Sequence, residues 1–124
     1  MINPKTVALE GFRSVSSAPE MRIRWSVPAD LPYFVGHFPA NPTLPAVAMI
    51  DLSLELVRQW PGFEQAELSV LKSAKFSAVV TPGAEVEVLL TREVIPTGIE
   101  EWRAEWTLGG AAAASFRFRT SPSF

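Results

Sequence analysis

Between Pro45 and Pro61 the chain runs without a helix breaker through its most apolar segment. Ala46, Val47, Ala48, Met49, Ile50, Leu52, Leu54, Leu56 and Val57 fall on most sides of a helical cylinder. A helix of that kind cannot lie on a surface, because a surface helix buries a single stripe; it must be covered by other structure. Pro45 suits a first helical turn, where its missing N–H has no partner to lose, and Pro61-Gly62 stops the helix, which predicts about four turns over residues 46–60. The polar residues Asp51, Glu55 and Arg58 recur at i, i+4 and i+7 and so share one stripe. That stripe is either an ordinary solvent face or a carboxylate turned toward a cleft.

What remains of the chain reads as strands. Residues 1–20 show no clear periodicity and are expected to form an extended lead-in. From Met21 to Val27, apolar Met21, Ile23, Trp25 and Val27 alternate with Arg22, Arg24 and Ser26, the pattern of a strand with one buried face. After Pro61-Gly62 the alternation returns with Ala66, Leu68 and Val70. It continues less cleanly to Val80, and so long a strand is expected to bend or bulge. Thr81-Pro82-Gly83 is a turn, Val86, Val88 and Leu90 form the next buried face, and Pro96-Thr97-Gly98 turns the chain again. Trp102, Ala104, Trp106 and Leu108 alternate with charged or polar residues. The two tryptophans also fit an i, i+4 helical pair, but the Gly109-Gly110 hairpin signal that follows favours a strand. In the last strand Ala112, Ala114, Phe116 and Phe118 are expected to face one way.

The order is therefore strand, helix, then four strands joined by short turns: an α+β domain, residues 1–124, in which an antiparallel sheet wraps one central helix. A chain of 124 residues with 48% hydrophobic side chains has more apolar surface than a small domain easily covers by itself. A net charge of −2 offers no electrostatic footprint for nucleic acid or an anionic membrane. With no cysteine and one histidine, disulfides, thiol nucleophiles and cysteine-based metal sites are excluded, and no metal or organic cofactor is expected. The N-terminal residues lack a signal-peptide core and the helix is too short to span a bilayer, so a cytoplasmic location without membrane association is expected.

The lone histidine, His37, lies on a loop stiffened by Pro32, Pro39, Pro42 and Pro45 that leads directly into the helix. A lone histidine is ordinarily a surface or hydrogen-bonded residue. Here its neighbours matter. Gly36-His37-Phe38-Pro39, Asn41-Pro42 and Leu44-Pro45, followed by an acid at Asp51, resemble the active-site segment of the FabA/FabZ-like 3-hydroxyacyl-[acyl carrier protein] dehydratases, which have the hotdog fold. The similarity covers residues 31–55 without a gap. A weaker likeness, over residues 75–88, matches that family's downstream strand, Pro-Gly turn and next strand. Ala40 and Ala46 stand where the family usually has glycine, and Glu55 stands where glutamine is more frequent.

The resemblance implies a chemistry. Dehydration needs a base for the α-proton, an acid for the departing hydroxyl and donors for charge on the thioester oxygen. By the resemblance His37 is the base and Asp51 the acid, meeting across a dimer interface. The N–H of Ala46 faces the oxyanion, with Gly36, Phe38 and Glu55 in the oxyanion and substrate-binding region. Tyr33, Phe34, Met49 and Ile50 are candidates to line an acyl tunnel; as aromatic and aliphatic groups near a helix they equally suit plain core. Glu55 either raises the pKa of Asp51 by repulsion or is neutralised by Arg58 three residues on. Arg22, Arg24, Arg117 and Arg119, on outward strand faces, either meet an acidic carrier protein or are simply solvated.

The expected partners are acyl carrier protein bearing an acyl-phosphopantetheine thioester and a second hotdog subunit, as a homodimer or with a different chain. The expected activity belongs to fatty-acid or related lipid and polyene biosynthesis. Two rivals remain open: a hotdog acyl-thioesterase using Asp51 or Glu55, and a non-catalytic acyl-binding or partner subunit closed by Ala40 and Ala46.

Overall fold

The computed structural model describes residues 13–14, 20–30, 43–94 and 99–121. Strands β1 (Arg13–Ser14) and β2 (Glu20–Ser26) are followed by helix α1 (Ala46–Val57), then β3 (Leu68–Phe76), β4 (Glu85–Val94), β5 (Glu100–Leu108) and β6 (Ala111–Thr120). The six strands form one antiparallel sheet in the order β1-β2-β4-β5-β6-β3. On leaving α1 the chain therefore lays β3 at the far edge and returns to place β4 beside β2. The predicted α+β arrangement holds, and β1 adds a two-residue strand inside the stretch read as a lead-in.

Alternation builds the core. Ile23 and Trp25 of β2, Val86, Val88 and Leu90 of β4, Trp102, Ala104 and Trp106 of β5, and Ala114, Phe116 and Phe118 of β6 pack with Ala48, Met49, Leu52, Leu56 and Val57 of α1. Beyond the helix Trp60 and Phe63 close on Trp102, with ring centroids 5.1 and 5.2 Å away in edge-to-face contacts. Such pairs contribute roughly 0.5–1.5 kcal/mol beyond area burial. They also explain why α1 stops at Val57, short of the predicted residue 60: Arg58 caps it, and Gln59 and Trp60 tighten into turns accepted by Leu56 and Val57.

Three hydrogen bonds set the entry of α1. Leu44 N–H donates to the Val80 carbonyl at 2.7 Å, while Gly83 N–H donates to Val27 and Val27 N–H to Ala84. The Thr81-Pro82-Gly83 turn, closed by the Ala84 N–H to Thr81 bond and a φ of +83° at Gly83, thus ties the start of the helix to the end of β2. Proline at the second position and glycine at the third are what a type II turn requires.

Two expectations fail, each for a physical reason. The predicted buried face of β3 is absent: all nine of its residues are exposed, because β3 is the end strand of the sheet. The predicted bend is real, with register shifts between Leu68 and Val70 and between Leu71 and Ser73. In β6 the predicted inward Ala112 is exposed and Ala113 is buried, because the β5–β6 register shifts between Trp106 and Thr107. A single extra residue moves each side chain beyond it to the other face.

Candidate functional site

Asp51 sits in the second turn of α1, half-buried, on a stripe that begins at Val47 and continues to Glu55 and Arg58. The stripe is neither fully wrapped nor simply wet. Val47, expected to be covered, is 68% exposed, whereas Leu52 and Leu56 on the sheet side are fully buried. Ala46 opens the helix with its methyl group exposed, and Pro45 at the cap supplies no side-chain hydrogen bond. The first-turn N–H groups therefore carry the positive end of the helix dipole toward this same end of the stripe.

Of the two expectations for Glu55, the pairing with Arg58 is the one seen. Its guanidinium forms an ion pair with the Glu55 carboxylate, and its Nε donates to the Ala66 carbonyl at 2.8 Å. Glu55 is thus held by a cation that is itself anchored to the backbone after the helix. Met49 is buried in the core and Ile50 half-buried against it, so both flank Asp51 without being solvent groups. His37, Gly36, Phe38, Tyr33 and Phe34, with Ala40, lie outside the described residues.

Sequence reasoning missed Ser53. It is fully buried on the opposite side of α1, donates from its hydroxyl to the Met49 carbonyl at 2.8 Å and accepts from Trp106 Nε1 at 3.0 Å. The signal was present: a serine among apolar residues on a covered helix, and an inward tryptophan whose indole N–H needs an acceptor.

The four outward arginines are engaged by glutamates. Arg22 reaches Glu87 at 2.6 Å and Arg24 the same carboxylate at 3.4 Å. Arg117 lies 3.4 Å from Glu93 and 3.7 Å from Glu101, and Arg119 lies 3.1 Å from Glu101. All four take part in cross-strand charge pairing. A cavity of about 300 Å³ lined by Arg24, Glu85, Val86, Glu87, Thr107, Gly109 and Gly110 includes no residue of α1, and its charged walls do not suit an acyl chain. Among the described residues no group of three His, Asp or Glu side chains is placed to hold a metal ion, and no helix is long and apolar enough to cross a membrane.

The family model for ApeI-like proteins, described as ApeI dehydratase, matches residues 13–103 and so includes both His37 and Asp51. The chain belongs to this dehydratase family. Among curated relatives, the 3-hydroxyacyl-[acyl-carrier-protein] dehydratase FabZ of Cupriavidus metallidurans is 30% identical over 111 residues, covering 82% of this chain and 74% of that protein. The FabZ of Latilactobacillus sakei is 35% identical over 89 residues, and the chain spans 63% of its length, somewhat under two thirds. Among solved structures, the dehydratase heterocomplex ApeI:P of Xenorhabdus doucetiae matches with a TM-score of 0.69 at 21% identity, covering 88% of this chain and 96% of that one. The mouse thioesterase superfamily member 2 matches equally well, with a TM-score of 0.69 at 15% identity, covering 96% of this chain and 86% of that one. The fold is hotdog. Dehydratase and thioesterase share it, so the site and not the architecture must decide the chemistry.

Proposed function

We propose that this ApeI-like chain dehydrates a 3-hydroxyacyl thioester carried on acyl carrier protein, giving the trans-2-enoyl thioester and water. His37 of one subunit takes the α-proton and Asp51 of the other protonates the departing hydroxyl. Electrons from the broken C–H bond form the new double bond as the C–O bond breaks. The first-turn N–H of Ala46 stabilises the charge gathered on the thioester oxygen.

The observation that carries this reading is Asp51, which stands at the family's acid position, half-buried in the second turn of a helix whose first turn is exposed. A dimer is part of the proposal. Its support is the end strand β3, on which Leu68, Val70, Leu71 and Phe76 are each at least 40% exposed. An edge of that length and apolarity calls for cover.

The test follows the ultraviolet absorbance of a trans-2-enoyl thioester on acyl carrier protein as the protein is added, the reaction run in reverse, with thiol release monitored alongside. Loss of the conjugated absorbance without thiol, abolished by His37→Ala and Asp51→Asn, is the expected result. Thiol release instead establishes the thioesterase, and binding without turnover across several chain lengths establishes a partner subunit.

A further inference from the structure

The apolar contacts that seat α1 on the sheet do not by themselves fix how it is turned. Leu52, Leu56, Val57, Ala48 and Met49 bury area, and burial is non-directional. Met49 in particular can repack around a small rotation. Yet a helix turned by about 20° moves a side-chain tip about 2 Å, given its 10–12 Å diameter, and a misplacement of about 1 Å in a reacting group can cost about a hundredfold in rate. Something directional has to set the angle.

We infer that Ser53 is a positioning residue for Asp51: its buried hydroxyl, bonded to Trp106, fixes the rotation of α1 on the sheet and thereby the aim of the acid. The inference rests on the reading of Asp51 as that acid. Ser53 follows Asp51 by two residues, about 200° around the helix, so pinning one to the sheet points the other away from it. The Ser53 hydroxyl is used fully, donating to Met49 at 2.8 Å and accepting the Trp106 indole N–H at 3.0 Å.

Trp106 is in turn a rigid post. It is fully buried on β5, is paired with Val88 of β4 and Ala114 of β6, and meets the Trp25 ring edge-on at 6.2 Å. Among the described residues, backbone-anchored ties lie at both ends of the helical region, from Leu44 to Val80 and from Arg58 to Ala66. Ser53 to Trp106 adds a tie at mid-helix, between α1 and β5.

Ser53→Ala, Trp106→Phe, the double variant and Ser53→Thr separate positioning from stability. Ser53→Ala strands a buried indole N–H and should lower the Tm, and removing both polar groups should recover part of that loss. The expected result is that kcat falls about tenfold or more in Ser53→Ala and in the double variant, with KM within about twofold, while Ser53→Thr retains kcat. Residual dipolar couplings of α1 amides should change in Ser53→Ala relative to those of β4 and β5. Unchanged couplings, or wild-type kcat in the double variant, overturn the inference. Full activity in Asp51→Asn defeats the acid assignment instead, and the couplings still report whether Ser53 sets the helix.

Discussion

Glu101 is a carboxylate on the sheet's outward face that is nonetheless only 4% exposed. Lys72 of β3 approaches it at 3.0 Å and Arg119 of β6 at 3.1 Å, with Arg117 at 3.7 Å. Hydrogen bonds from Lys72 and Arg119 hold its carboxyl below the ordinary glutamate value, against the opposing effect of burial. Because the folded form has the lower pKa, its contribution to stability is complete above the unfolded carboxyl value of about 4.3 and is lost as pH falls through the folded value. Glu101→Gln keeps the shape and removes the charge. Its cationic partners are about one-third exposed and can recover some hydration, so the expected loss is about 1–2 kcal/mol in urea unfolding at pH 7. The same measurement below pH 4 should show the gap between variant and parent narrowing. Since Lys72 stands at the second register shift of β3, hydrogen exchange of that strand should quicken more than that of β4.

The elements were readable to the extent that their neighbours are local. Two-residue alternation located β2, β4 and β5, and Gly109-Gly110 marked the β5–β6 hairpin, whose φ values of +59° and +84° are those of a two-residue turn with both central residues left-handed. A testable asymmetry follows. Gly109→Asn should be tolerated within about 0.5 kcal/mol, since asparagine accepts this conformation and Asn-Gly is a favoured pair, whereas Gly110→Val should cost about 1–2 kcal/mol in thermal or chemical unfolding. Beyond the adjacent residues no atom lies within 4 Å of a Cβ at either position, so the difference isolates the backbone from tertiary clashes. What stayed illegible was non-local. The Ser53–Trp106 bond joins residues 53 apart in sequence, and the burial of Glu101 depends on cations from two other strands. The motif around His37 and Asp51 could be read because it is contiguous, while the geometry of its loop falls outside the described residues.

At the scale of the whole molecule, β3 is the edge on which the proposed second subunit would sit. Its alternation resembles that of β2 and β4, yet all nine of its residues are exposed. By register Leu71 and Phe76 oppose Phe118 and Ala114 on the core side of the sheet, so the apolar face of β3 continues the core sideways. Phe76 already stacks on Phe116 with centroids 6.0 Å apart. Val79, 60% exposed just beyond β3, lies next to Val80, whose carbonyl holds the start of α1. A subunit seated along this edge therefore lies beside the end of α1 that precedes Asp51, where the proposed mechanism needs His37 of the other chain. Leu71→Asp puts a charge into that face at a residue the monomer leaves 42% exposed, so the monomer fold should survive. Light scattering should show the parent as a dimer at micromolar concentration and the variant as a monomer with an unchanged circular dichroism spectrum. Its enoyl-thioester hydration should vanish with the dimer, because each half-site then lacks one of its two groups. A Leu71→Asp monomer with full activity would show that the acid and base act within one chain.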